Sequence, residues 1–474
     1  VTLELPTRYP MSPSFGYYFT HVIGEINAEG EWAYDGAQKR IYLWPVGKSL
    51  ENIEATVREN GIYSESPCSY HTITGLVVIR AIDAIRLNQS RHMTIQGNTI
   101  EYAYDSGIVD AEGAYNRILD NTIRYSHHTG ITDNGLSSHA LIQGNTVYAT
   151  GAENVGDDVV NDIPNSVFIG GSQARLINNR IDRSGYGGIF LSGNTSNREI
   201  AYNYITGCCL SLADGGGIYT GGPSGSDEED LYHHNIIDDV GGWLGGVAAV
   251  QSQCTKTPGL CRGEAHGIYL DEQGNHTLFE YNTVMNCGAA GMFFHWTQDN
   301  RLSHNTLYNN AQFQLLFSGK DDPRFLLRNN TATQNLLIAA KAGQNTLQLN
   351  LDYQGFDFGA CDENHFYHEG GAKHIVVCQD LGGGPCTAYS LADWQHVSGQ
   401  DTHSQDLSLS ANQTRGGVPV IFINPSMGAL TVDLKGMRYV DVNHQLVEGA
   451  LSIDPFESVV LFSYAGTPEV SAGR

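Results

Sequence analysis

The chain has 474 residues, with 51 Asp plus Glu against 26 Lys plus Arg and a formal net charge of −25. That length exceeds what one hydrophobic core supports, so it implies several domains or one elongated repeat solenoid. The charge excludes a surface built to hold nucleic acid or an anionic membrane.

With 16% charged residues, 55 glycines and 25 tyrosines, the balance fits a secreted or periplasmic polysaccharide-handling protein better than a cytosolic metabolic enzyme. No apolar run approaches the ~20 residues of a membrane span. Val1 to Pro10 lack the charged and apolar parts of a signal peptide, so the chain reads as already processed or trimmed.

In chain order, residues 1–60 form an N-terminal region in which residues 28–48 (Ala-Glu-Gly-Glu-Trp-Ala-Tyr-Asp to Tyr-Leu-Trp-Pro-Val-Gly-Lys) predict a β-hairpin feeding into a coil, packed by Trp32 and Trp44. Residues 61–396 carry a repeat. Asn-x-aliphatic steps begin at Asn98, Asn121, Asn145, Asn179, Asn203, Asn235, Asn282, Asn305 and Asn330, and their shortest spacings of about 23 to 25 residues suit one coil of three short strands and three turns. Asn suits a tight corner because it tolerates a left-handed backbone and its amide can ladder onto its neighbours.

About half a coil later comes a second signature: Ser106-Gly-Ile-Val, Thr129-Gly-Ile-Thr, Gly187-Gly-Ile-Phe, Gly216-Gly-Ile-Tyr, His266-Gly-Ile-Tyr and Ala290-Gly-Met-Phe, alternating as half-buried strands do. The expected fold is all-β: a right-handed parallel β-helix. Extra length after Asn145, Asn203 and Asn235 predicts loops walling one face. Residues 397–474 predict a small C-terminal β-sandwich or cap, because a solenoid end must be covered.

Nine cysteines leave at least one without a partner in the chain. Cys254 and Cys261 could close the loop they bracket; Cys361, Cys378 and Cys386 offer another pair. The adjacent Cys208 and Cys209 read as buried thiols. None has zinc-site spacing.

Aligning the coils on the Gly of the second signature places Tyr104, His127, Gly185, Asp214, Glu264 and Gly288 in one column. Asp110, Asp133-Asn134, Leu191-Ser192, Thr220-Gly221, Leu270-Asp271 and Phe294-His295 fall in another. Stacked at ~4.8 Å per coil, such columns are expected to line one face. An acidic ladder has no structural benefit, since like charges at that spacing repel. Asp214 and Asp271 on adjacent coils would supply the two carboxyl groups that cleavage of a glycosidic bond needs, one to protonate the leaving oxygen and one to attack or activate water.

His127, Asp133, Glu264, His266, Glu272 and His295 are candidate sugar-binding residues beside that pair, and Tyr219, Trp296 and Trp243 are candidate stacking platforms. The run Asp227-Glu-Glu-Asp230 reads as a solvated loop, with a structural calcium site as the lesser reading. No cofactor is required for this chemistry. A polysaccharide lyase needs cations to neutralise a uronate and a base to take its proton. There is no lysine between Lys48 and Lys256, and Arg124, Arg183 and Arg198 are what keeps that alternative open. A non-catalytic carbohydrate-binding solenoid is the third.

Asp214-Gly-Gly-Gly-Ile-Tyr-Thr-Gly followed by Gly267-Ile-Tyr-Leu-Asp271-Glu272, with the Gly30-to-Pro45 stretch and Asp454-Pro-Phe-Glu-Ser-Val-Val-Leu, resembles the parallel β-helix glycoside hydrolases typified by glycoside hydrolase family 141. The resemblance spans nearly the whole chain. It implies α-L-fucosidase- or xylanase-type activity on a plant or algal glycan, with two catalytic aspartates falling on Asp214 and Asp271. The sequence departs from that pattern in the lengthened loop carrying Cys254 to Cys261 and in lacking the coils that usually precede the Gly-Glu-Trp stretch.

Overall fold

The computed structural model describes residues 22–51, 53–65, 67–152, 164–193, 196–222, 229–242, 263–320, 322, 326–352, 358–371, 373–407 and 419–464. Trp243 and the Cys254–Cys261 loop lie outside them. Among the described residues, three long sheets of 11, 12 and 13 strands run side by side along a solenoid, their strands pairing in parallel with counterparts one coil away except at the last strand of the 13-stranded sheet, which pairs antiparallel. The chain visits the sheets in rotation, so each coil contributes one strand to each.

Apolar side chains inside the coil stack in columns. In the 13-stranded sheet Ile85, Ile108, Ile131, Val167, Ile189, Ile218, Ile268, Met292, Leu315 and Leu347 occupy successive coils, none more than 1% exposed. Burying each such side chain is worth roughly 1.5–3 kcal/mol over leaving it in water. The strand Val167–Ile169 lacks the Gly-Ile signature, so one more coil separates Asp133 from Gly187 than the motif count predicts.

The Asn repeat is a hydrogen-bonded ladder. The side-chain oxygen of each rung accepts both the backbone N–H and the side-chain amide of the rung one coil earlier, from Asn98 through Asn121, Asn145, Asn179, Asn203, Asn235, Asn282, Asn305 and Asn335 to Asn364. Two expectations are corrected here. Asn330 belongs to another corner, where it accepts from Asn300, and Asn335 takes the rung assigned to it. The left-handed backbone sits on the residue before each rung, such as Gly97, Asp120, Gly144, Asn178 and Tyr202, while the rungs themselves have negative φ.

The acidic column is also corrected. Asp110 and Asp133 pair in register but face the interior, 1% and 0% exposed. Asp110 accepts the Asn116 side-chain amide at 2.9 Å through both oxygens. Burial pushes Asp110 up to about 6, and burial with the neighbouring Asp110 pushes Asp133 up to about 7.

At the N-terminal side Trp32–Asp35 and Arg40–Leu43 form the expected antiparallel hairpin, though Trp32 and Trp44 stand exposed on it. Among the described residues the first coil strand is Asn60–Ser64. At the other end coiling continues past residue 396, since Gln405–Asp406 pairs in parallel with His365–Phe366. That end is covered by the helix Leu391–Ser398, whose Trp394 is buried in the solenoid core and donates its indole N–H to Asp401 at 3.0 Å.

Among the described residues the C-terminal strands form the expected small β unit as one four-stranded antiparallel sheet. It lies against the flank of the 12-stranded sheet, with Val460 and Phe462 packed on Ile338 and Tyr367. Cys378 and Cys386 are disulfide-bonded across an antiparallel strand pair. Cys208 and Cys209 are buried thiols, as expected.

Truncating the rung Asn203→Ala strands the Asn179 N–H and the Leu176 carbonyl in the core, and chemical denaturation should show a loss on the order of 3 kcal/mol. The interior acid pair makes stability pH-dependent. Between about pH 4 and 7 the unfolded Asp133 is ionised while the folded one still holds its proton, so stability falls as pH rises through that window. Asp133→Asn should flatten this slope in denaturation curves measured across it.

Candidate active site

The outward face of the 13-stranded sheet carries the site. One outward column reads Arg86, Val109, Thr132, Phe168, Phe190, Tyr219, Tyr269 and Phe293. Within the strands Gly215–Gly221 and Ala265–Asp271, Gly221 aligns with Asp271, while Asp214 and Glu264 stand just before the strand starts. Asp214 and Asp271 are therefore on adjacent coils, as expected, but at opposite ends of them. The pair stacked one above the other is Asp214 with Glu264, joined by the Asp214 N–H donating to the Glu264 carbonyl.

Tyrosines connect the two ends. Tyr186 donates its hydroxyl to the Asp214 carbonyl at 2.5 Å, and its ring lies edge-on to Tyr219. Gly215 permits this, because a Cβ there would sit 2.6 Å from the Tyr186 ring. Tyr219 in turn donates to Asp271 Oδ2 at 2.9 Å. From the next coil His295 Nδ1–H donates to Asp271 Oδ1 at 2.6 Å.

These surroundings drive the two carboxyl groups apart. The Asp214 side chain keeps a face open to water; partial desolvation by the atoms around it, together with the charges of Glu264 and Asp271, pushes it up to about 6. Asp271 is held below its ordinary range: burial acts to raise it, and the hydrogen bonds from His295, Tyr219 and Tyr269 outweigh that. Near neutrality one group can give a proton while the other is ionised. Burial first, then neighbouring Tyr186 and Asp271, push the Tyr219 phenol far up, so it acts as a donor rather than a base.

The structure brings together Asp214, Glu264, Asp271, Glu272, Tyr219, His266 and His295. Glu272 is exposed, and its charge acts on Asp214. His266 is 2% exposed, packs on Tyr269 and Phe293, and accepts the Ala290 N–H at Nδ1. Burial holds it at about 3, a neutral imidazole. Tyr219 is a hydrogen-bond donor within a stack, not an open platform, its ring lying between Tyr269 and Phe190. Trp296 borders the site with its ring engaged by His295 and by the Lys320 ammonium at 4.3 Å.

Two candidates lie elsewhere. His127 stacks on Tyr104 three coils before the Gly215–Gly221 strand, and Asp133 faces the interior. Tyr186, Tyr269, Phe168 and Phe190 were missed, although the column that holds the last three is readable once the coil Val167–Ile169 is counted.

The cations named for a lyase are not on this face. Arg198 is buried in an ion pair with Asp230, and Arg124 and Arg183 belong to the 12-stranded sheet. Asp230 is thus a buried partner of Arg198 rather than part of a solvated loop, and Glu229 pairs with Arg301; residues 227–228 lie outside the described residues. Among the described residues no group of three or more His, Cys, Asp or Glu is placed to hold a metal ion.

No curated protein matches the chain. Solved structures similar to it include the A-module of the Azotobacter vinelandii mannuronan C-5 epimerase AlgE4, at 12% identity over 61% of this chain and 75% of that one with a TM-score of 0.44. The catalytic domain of a GH87 alpha-1,3-glucanase in complex with nigerose is similar at 15% identity over 65% of this chain and 52% of that one, with a TM-score of 0.43. The Dettilon tailspike protein is similar at 12% identity over 82% and 69%, with a TM-score of 0.37. The family described as right-handed β-helix region matches residues 41–235 and 165–352, more than half of the chain and the very coils that carry the site, and the chain belongs to that family.

Proposed function

We propose that the chain is a glycoside hydrolase acting on a poly- or oligosaccharide, with Asp214 as the general acid and Asp271 as the ionised nucleophile or base. The observation that carries this reading is geometric: Asp271, held by Tyr219 and His295, stands on the coil next to Asp214 on one outward face, in surroundings that favour the proton on Asp214 and ionisation of Asp271. Asp214 would protonate the leaving oxygen, and Asp271, held by His295 and Tyr219, would attack the sugar or activate water. The family-141-type resemblance carries its two aspartates to these same positions. The Cys378–Cys386 disulfide fits a secreted or periplasmic location.

A lyase on a uronate polymer is the second reading. It is favoured by the chain Tyr219–Asp271–His295, in which an imidazole could take a proton. The protonated phenol of Tyr219 and the displaced arginines weigh against it.

Asp214→Asn and Asp271→Asn should each lower turnover of a cleaved glycan by roughly 10²–10⁴-fold or more while leaving circular dichroism unchanged. Full activity in both variants, or an unsaturated product absorbing in the ultraviolet, contradicts the hydrolase. The pH profile of kcat/KM should fall above about 6 as Asp214 loses its proton. Because His295 helps hold Asp271 low, His295→Gln should move the acidic limb to higher pH.

A further inference from the structure

Beside the aspartate pair, on the coils that precede it, the same face forms a groove of about 1060 Å³. It runs from Glu65 past Arg86, Val109, Thr132 and Phe168 to Phe190 and Ser192, some six coils, or roughly 24 Å at ~4.8 Å per coil. Ser192 aligns with Gly221, and Gly221 with Asp271, so the groove leads directly to the proposed nucleophile. A Cβ at Gly221 would meet the Phe190 ring at 3.2 Å, and its absence keeps the floor low where the two join.

The lining has a definite chemistry. Phe168 and Phe190 lie half-buried on the floor, one ring stacked on the other with their planes 12° apart, and form an apolar strip beside Asn134, with the amides of Asn88 and Gln89 farther along the same lining. An apolar strip and amide groups along one groove suit sugar rings, which are apolar on their faces and hydroxylated at their edges. The charges are those of Glu65, Asp105 and Glu112 against one cation, Arg86, whose guanidinium is already paired with Asp83 at 2.8 Å. Asp105 faces His128 at 3.3 Å, and Glu112 accepts from Gln89 at 2.9 Å. A polyanion entering this groove would meet like charge.

We infer that this groove binds an extended, uncharged glycan chain, several sugar units of which lie along the solenoid axis on the Phe168–Phe190 strip. The inference rests on the hydrolase reading for which bond is cleaved, but not for binding itself.

The test is affinity electrophoresis and calorimetry of the whole chain and of its Asp271→Asn variant, which limits turnover. The probes are soluble arabinoxylan and mixed-linkage β-glucan as uncharged polymers, polygalacturonate and alginate as polyuronates, and chitosan as a polycation. Binding to an uncharged polymer, weakened about tenfold in folded Phe168→Ala and Phe190→Ala variants, unmatched by a polyuronate, and unmatched by chitosan once salt screens the chain's charge of −25, is the expected result. Tighter binding of a polyuronate, tighter binding of chitosan that persists in screening salt, no binding of either uncharged polymer, or indifference to both Phe substitutions overturns it. Binding without any hydrolysis removes the hydrolase reading and leaves the groove assignment standing; hydrolysis that ignores both phenylalanines does the reverse.

Discussion

A chain that turns three times in every coil leaves backbone N–H and C=O groups in its corners with no strand to pair with, and burying them unpaired is costly. The Asn ladder meets that demand at one corner. Each rung accepts two hydrogen bonds from the rung before it and donates to a carbonyl of the neighbouring sheet, as Asn203 does to Leu176. A rung can do this only if its counterpart stands directly above it. The ladder therefore ties every coil to the register of the last, and the apolar columns of the interior follow from that register.

The chemistry on the outward face depends on the same constraint. Asp271 is gripped by Tyr219 from the coil below and His295 from the coil above, and neither hydrogen bond survives a one-residue slip, which would turn both side chains inward. The loops after Asn203 and Asn235 can lengthen because the ladder closes each coil regardless of what departs between its strands, as the contact between Asn235 and Asn282 shows. The solenoid thus holds fixed the groups whose titration must differ while the chain length between its strands varies.

Much of this was legible in the sequence, because the signals are periodic. The Asn steps and the Gly-Ile strands predict the coil, its length and the sheet that carries the site, and they put Asp214 and Asp271 on neighbouring coils. What failed were the steps that periodicity cannot reach. Asp110 and Asp133 share a column with residues next to the site, yet one position along a strand separates inside from outside, and the motif alignment allowed either face for that column. His127 drifted from the site because the coil Val167–Ile169 has no glycine to announce it. Asn330 and Asn335 are five residues apart and both end strands' approaches, so spacing alone did not choose between two ladders. The tyrosine connection from Asp214 to Asp271 had no sequence signal, being made by side chains from three coils.

One face of this solenoid holds two carboxyl groups whose surroundings drive their protonation in opposite directions. Carbon-13 NMR of the aspartate carboxyl groups across the pH range tests it most directly, with Asp214→Asn and Asp271→Asn used to assign the signals. The spectra should show a carboxyl titrating at about 6 that vanishes in Asp214→Asn, and one titrating below the ordinary aspartate range that vanishes in Asp271→Asn. Two carboxyl groups titrating together near the ordinary aspartate value would contradict it.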